Sequence, residues 1–255
     1  MTIEPPQPDS GSLPPAAEPR ARPGDVQPPR SVYRAVVEFA VQGDLRYLSH
    51  HEELRVLQRA LTRAGWPVAY SQGFNPRPQA ALALPRNLGT SSDCEVALVD
   101  LLAPRSAEEL EAALRPQLPA DMPLRSVVAP AVRRALLPER ADYTVQLDTP
   151  AAAVAGENIP ALLAERRLLI RRDYGPEKPS RPADIRPYIE SLRMEGLTLH
   201  IELSFEQQRS ARPSEILNLL KLPPGEFDHW IHRRRITWNI SAAALWAGPQ
   251  TIERG

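Results

Sequence analysis

Arg55, Arg59 and Arg63 recur every fourth residue, a spacing that stacks side chains along one face of a helix. Three guanidinium groups in a row repel one another at a mild cost, and two readings stay open. One is a solvated face partly paired with Glu52 and Glu53; the other is a surface that tracks phosphates. Arg46 and Arg77 flank the row. Next to it, Ser71, Gln72, Gly73, Phe74, Asn75, Pro76, Arg77 and Pro78 combine a glycine turn, an aromatic ring, two amides and an arginine. Such a loop can stack and hydrogen-bond an unpaired RNA base, or be a bulged loop with Phe74 in the core. It has neither the P-loop spacing nor GxGxxG, so a mononucleotide or dinucleotide site of those kinds is not expected.

Three other groups could carry chemistry. His50 and His51 are weak catalytic candidates, since imidazole titrates near neutrality, and His50 is also a ligand-contacting candidate. As neighbours on a helix they diverge by about 100°, so they do not easily share a metal. Asp184, Arg186 and Tyr188 read as one face of a strand, either ligand-contacting or structural. Trp230, Arg233, Arg234 and Arg235, with His229, His232 and Trp238 beside them, form a basic segment with interleaved aromatics. That reads as a partner-binding surface or as an edge strand kept soluble by charge. No metal-ligand cluster and no catalytic motif stands out, so a non-enzymatic role is expected.

The whole chain narrows these options. It has 255 residues, 42% of them hydrophobic, and 31 basic against 31 acidic side chains. That allows a packed core and excludes a globally polyanion-seeking protein, but not a local basic face. Cys94 is the single cysteine, so this chain alone supplies no disulfide, thiolate zinc cluster or four-cysteine iron–sulfur site. No apolar run approaches the roughly 18 residues of a membrane span, and the N-terminus lacks a secretory layout; a cytoplasmic location is expected.

These residues need elements to hold them. Residues 1–30 are rich in proline and read as a disordered tail. Residues 31–41 alternate as a strand, with Tyr33, Ala35, Val37, Phe39 and Val41 on the core face. Ser49 with Glu52 predicts a capping box, and Leu54, Leu57, Ala60, Leu61 and Ala64 the apolar stripe of the helix it starts. Strands are predicted at 68–70, 80–84, 95–102 and 124–128, with a helix over 107–114 capped by Ser106. A second series follows: strands at 143–147, 168–172, 185–192, 197–205 and 231–240, with helices at 159–165 and from Pro213. The expected fold is α+β, two tandem ferredoxin-like halves over 31–130 and 131–240, with a C-terminal tail over 241–255.

Several of these positions carry a resemblance. Tyr47-Leu48-Ser49-His50, Arg59-Ala60-Leu61, Arg63-Ala64-Gly65, Ser71-Gln72-Gly73-Phe74-Asn75-Pro76, Leu82-Ala83-Leu84-Pro85 and Gly89 resemble the bacterial radical-SAM-linked protein family. Asp184-Ile185-Arg186-Pro187-Tyr188 and Arg212-Pro213-Ser214-Glu215-Ile216-Leu217 also fit it. Arg77 stands where that family often has another basic residue or histidine after Asn-Pro. The resemblance implies a chain that works beside a radical SAM enzyme. The enzyme's CxxxCxxC motif is missing here, so the cofactors, an iron–sulfur cluster and S-adenosylmethionine, are expected in the partner and none in this chain. Combined with the arginine row, it implies an accessory protein that binds or presents RNA, a tRNA or rRNA. Two alternatives are a docking scaffold without RNA binding and, by analogy of fold to CRISPR-repeat-processing nucleases, a metal-independent endoribonuclease using His50 or His51. The glycine-rich C-terminal loop of those nucleases is not seen here.

Overall fold

The structure, a computed structural model, describes residues 33–72, 74–131, 133–172 and 179–245. The expected tail over 1–30 lies outside the described residues, as do Gly73 and the end of the C-terminal segment, 246–255. Strand β1 (Tyr33–Val41) starts the described chain. Its predicted core face is buried at Ala35, Val37, Phe39 and Val41. A 3-10 turn, Gly43–Tyr47, leads to helix α1 (His50–Arg63). Ser49 and Glu52 close the predicted capping box, and Leu57, Ala60 and Leu61 are fully buried. Then come β2 (Ala80–Leu82), β3 (Ser91–Leu101), α2 (Ala107–Leu114) with its Ser106–Glu109 box, and β4 (Leu124–Val128). The strands pair antiparallel in the order β4-β1-β3, with β2 also on β3.

The second series is β5 (Pro138–Gln146), α3 (Thr149–Ala164), β6 (Leu169–Arg172), β7 (Arg181–Asp184), β8 (Ile189–Glu195), β9 (Thr198–Ser204), α4 (Pro213–Leu219) and β10 (Ile231–Trp238). A single turn, α5 (Ala242–Leu245), ends the described chain. The order is β10-β5-β9-β8, again antiparallel, and β6 with β7 makes a separate ribbon. Three predicted elements differ. The strand at 68–70 shrinks to bridges at Val68 and Tyr70, because Pro67, Pro76 and Pro78 deny the ladder its donors. Helix α3 begins well before the predicted 159, since Asp148 caps it and Pro150 sits in its first turn, where proline is tolerated. The strand at 185–192 is broken by a 3-10 turn, Arg186–Tyr188, around Pro187.

The two halves are not separate sheets. β10 pairs parallel with β3 through His232 to Ser91 and Arg233 to Ser92, and antiparallel with β5 along its length. The segment read as a partner-binding surface or an edge strand is therefore central, and it makes one eight-stranded sheet of both halves. Register also decides where the cores lie. Val41 is opposite Ser92, Ser92 opposite Arg233, and Arg233 opposite Tyr143, and opposed residues share a face. Val41 belongs to the first core and Tyr143 to the second, so both cores sit on the same side. On the other side, Val36 and Val96 are covered by Ala131, Leu136 and Leu245. Among the described residues no helix is long and apolar enough to cross a membrane.

One sheet through both halves implies one cooperative unit. Urea unfolding followed by tryptophan emission and by far-UV circular dichroism should give coincident transitions. Two resolved transitions would mean that the β3–β10 pairing does not couple the halves.

Candidate functional site

Helix α1 presents Arg55, Arg59 and Arg63 on its exposed side, and the loop at 71–78 folds back beside them. Ser71 closes that loop: its N–H donates to the Arg77 carbonyl at 2.8 Å and its hydroxyl accepts from the Arg77 N–H at 3.0 Å. Gln58 hooks the loop to the helix by donating to the Pro78 carbonyl at 2.9 Å. The result is a groove of about 460 Å³ lined by Arg55, Arg59, Arg63, Arg77, Gln58, Thr62 and Pro78. Arg63 is fixed by Gln117, donating to its side-chain oxygen at 3.2 Å and its carbonyl at 2.6 Å. Arg59 and Arg77 make no side-chain hydrogen bond or ion pair among the described residues. Phe74 is fully exposed and Gln72 and Asn75 are exposed with it; the reading with Phe74 in the core is thereby corrected. Gly73 lies outside the described residues.

A second site lies under the sheet where the halves meet. Glu53 stands one helical turn before Leu57, in line with the buried stripe, and is 1% exposed. It pairs with Arg86 at 2.8 Å, while Glu95 pairs with Arg233 at 3.0 Å. Arg86 also donates to the carbonyls of Leu45, Arg46 and Thr90, and Arg233 to that of Pro85. Burial pushes the Glu53 carboxyl above its ordinary range, Arg86 opposes that, and Glu95 adds to it. For Arg233, burial works against the charge, but Glu95 and Tyr143 outweigh it and the pKa rises. Above this, Arg46 donates to the His229 carbonyl at 3.1 Å and its guanidinium lies 4.9 Å from the Tyr47 ring centre. Arg46 is thus a clasp between the halves, apart from the groove it was expected to flank.

A family profile described as an uncharacterized protein conserved in bacteria, DUF2344, matches residues 34–213, more than half of the chain. The chain belongs to that family. No curated protein matches it. Among solved structures, one chain of the "Crystal Structure of a Cbf5-Nop10-Gar1 Complex" matches with a TM-score of 0.41 at 15% identity. That match covers 79% of this chain and 48% of the other, about half its length. A likeness of that degree establishes neither a shared fold nor a shared function.

In this DUF2344 protein several predicted site residues turn out to be structural. Asp184 ends β7 instead of sharing a strand face with Arg186 and Tyr188. It accepts from the N–H groups of Leu168 at 2.9 Å and Arg186 at 3.2 Å and from the Arg167 side chain. The Leu168 N–H does most to hold its carboxyl below the usual range. Arg186 donates to the carbonyls of Leu163 and Glu165 at the end of α3, and Tyr188 packs on the second core. Arg233, expected on a partner-binding surface, is 3% exposed and buried in the seam. Trp230, Arg234 and Arg235 are exposed, but Arg235 is held by Asp142 at 2.6 Å and Arg234 lies 3.7 Å from Asp93. His51 is exposed and meets His50 edge to face at 5.7 Å.

Two further arrangements are weaker than the groove. Thr144, Ser191, Arg193, His200, Arg234 and Arg235 line a concavity of about 500 Å³ on the open face of the second half. Its Arg193 and Arg235 are already paired, with Glu195 and Asp142. Ser91 Oγ lies 2.8 Å from His232 Nδ1, and His232 Nε2 lies 2.8 Å from Asp93. These are triad residue types on exchanged ring nitrogens, and they bridge β3 to β10. Cys94 is buried, and that burial pushes its thiol up to about 12, which favours the protonated form.

Sequence reading missed Arg86, Glu95 and Thr90, and it placed Glu53 on the solvated face as a partner of the arginine row, whereas Glu53 is buried and pairs with Arg86. Glu53 alone carried a signal, a carboxylate four residues before Leu57 on the apolar stripe. Glu53→Ala leaves Arg86 charged and buried, which should cost about 3–5 kcal/mol in urea unfolding. Because the folded-state pKa of Glu53 is raised, its contribution to stability is fully present below the ordinary 4.5 and is lost as pH rises through the raised value. Glu53→Gln should therefore flatten that decline, and an unchanged stability–pH profile would contradict it.

Proposed function

We propose that this DUF2344 protein is a non-catalytic accessory protein that binds single-stranded RNA, within a tRNA or rRNA, and presents it to a radical SAM enzyme. The observation that carries the RNA reading is the groove with Arg55, Arg59, Arg63 and Arg77 on its walls and the fully exposed Phe74 beside it. Arginines four apart on a helix stand about 6 Å apart along its axis, a spacing that an extended sugar–phosphate strand can follow. Guanidinium groups bind phosphate oxygens in pairs and release counterions on doing so. An exposed ring on the loop that carries Arg77 suits a splayed base, because every base has a π-face. The radical SAM partner is supported by the resemblance of the residues around Ser49, Gly73 and Pro187. In this reading the iron–sulfur cluster and S-adenosylmethionine belong to that partner. We also read each half as a ferredoxin-like unit, supported by the strand orders β4-β1-β3-β2 and β10-β5-β9-β8.

The docking-scaffold alternative relied on residues 230–238 as an exposed surface. β10 is instead central to the sheet, which leaves Trp230 and two paired arginines for a partner.

The test is retention of single-stranded RNA by the purified full chain across a salt series. Arg59→Glu combined with Arg77→Glu should weaken binding by about tenfold or more and lower the salt slope by about 2. Phe74→Ala should cost about 1–3 kcal/mol with the slope unchanged. RNA retention that is indifferent to all three substitutions would remove the reading.

A further inference from the structure

Strands β6 and β7 form a ribbon of their own, apart from the main sheet. Its charge is one-sided. Over residues 166–172 and 179–186 there are six arginines and one acid, Asp184, in a chain whose basic and acidic side chains balance at 31 each. Asp184 is engaged by Arg167 and by the N–H groups of Leu168 and Arg186. Arg172 and Arg186 are structural: the first grips Glu215, and the second donates to carbonyls at the end of α3. Arg166, Arg171 and Arg181 are exposed and make no ion pair among the described residues. Arg171 donates to the Ser180 hydroxyl at 3.2 Å, which leaves its charge uncompensated.

We propose that this ribbon is a second RNA-contacting surface, which holds the phosphates of a helical stem adjoining the single strand in the groove. The identity of the polyanion rests on the RNA reading above; the residues are separate from those of the groove.

The imbalance is particular to the ribbon. On the open sheet face of the same half, Arg140, Arg193 and Arg235 each stand beside an acid, Glu202, Glu195 and Asp142. Mixed charge of that kind suffices for a solvated surface. The ribbon instead sets Arg181 directly opposite Arg172, a like-charge pairing that costs stability. Glu215 neutralises Arg172 at 2.7 Å and leaves Arg181 in excess. Unbalanced guanidinium groups suit a polyanion, whose phosphate oxygens they bind in pairs while counterions are released.

The ribbon is anchored, so its charges are held in place. Ile170 packs on the second core. Arg172 forks onto both Glu215 oxygens at 2.7 Å and reaches the Ser210 carbonyl at 2.7 Å.

The arrangement of the arginines favours a stem over a single strand. Side chains alternate between the two faces of a strand, and opposed residues share a face. Arg171 therefore lies on the face of Leu169 and Pro182, and Arg181 on that of Ile170 and Arg172. A ribbon with an exposed arginine on either face meets phosphates on both walls of a helical groove, whereas a single strand passes along one side. RNA helices are recognised through backbone contacts of this kind, largely without regard to sequence.

The experiment measures retention by the full chain, across a salt series, of a single-stranded RNA and of the same strand joined to a stem. The stem RNA should be held about tenfold or more tightly than the strand alone, with a steeper salt slope. Arg171→Ala with Arg181→Ala should remove that advantage, lower the slope for the stem RNA by about 2 and leave the single strand unchanged. Neither arginine holds an ion pair, so the melting temperature of this variant should match that of the wild type. Arg171→Lys with Arg181→Lys keeps both charges and should keep the wild-type slope; a slope that falls as far as in the alanine pair overturns the proposal. A stem advantage that survives the alanine pair also overturns it. If the wild type holds both RNAs equally, the ribbon proposal is wrong and the groove reading stands. If the stem RNA alone is retained and the alanine pair releases it, the ribbon stands and the groove reading falls. A wild-type chain that retains neither RNA removes both.

Discussion

Four buried charges hold the two halves in register. Glu53 comes from α1, Arg86 from the loop before β3, Glu95 from β3 and Arg233 from β10. Taking these groups out of water is expensive, and their mutual attraction offsets that only while the geometry is kept. Such a network adds little net stability compared with an apolar seam. What it adds is intolerance of misplacement, because any shift of β10 along β3 leaves a charge buried without its partner. The backbone pairing there is short, Ser91 and Ser92 against His232 and Arg233, so the side chains supply the register that the ladder does not.

Helix α1 serves both sites from opposite faces. Its buried stripe carries Glu53 into the seam, and its exposed side carries the arginine row to the groove. The same capping box that starts the helix at Ser49 sets the phase of both, since rotating the helix by one residue, about 100°, would bury an arginine and expose Glu53. The loop at 71–78 is held to this helix by Gln58 and by its own Ser71–Arg77 bonds. Arg77 is thereby placed opposite the row although it belongs to another segment of the chain.

Local signals were legible wherever neighbours in sequence carry the physics. Both Ser-x-x-Glu boxes, the Leu57–Leu61 stripe and the alternation of β1 are short-range patterns, and the structure contains them. The arginine row was legible as a row, but not its closure into a groove by Pro78 and Arg77. The basic run ending at Arg235 misled for a physical reason: Arg233 reads as a surface charge until Glu95, far away in sequence, is brought beside it. Asp184 and Arg186 were likewise read as ligand contacts, because the carbonyls and N–H groups that occupy them come from the end of α3 and from Leu168.

The amino-acid sequence by itself therefore determined the elements, their caps, the apolar faces and the presence of a basic helix face next to a glycine–aromatic loop. These follow from spacings of two to four residues, within reach of local sterics and hydrogen bonding. The tertiary structure alone decided that β10 joins the halves into one sheet, that Glu53, Arg86, Glu95 and Arg233 share a buried seam, and that Arg46 reaches the His229 carbonyl across it. Those pairings link residues up to about 180 positions apart, and only the packed sheet brings them within the few ångströms at which a charge or a hydrogen bond counts.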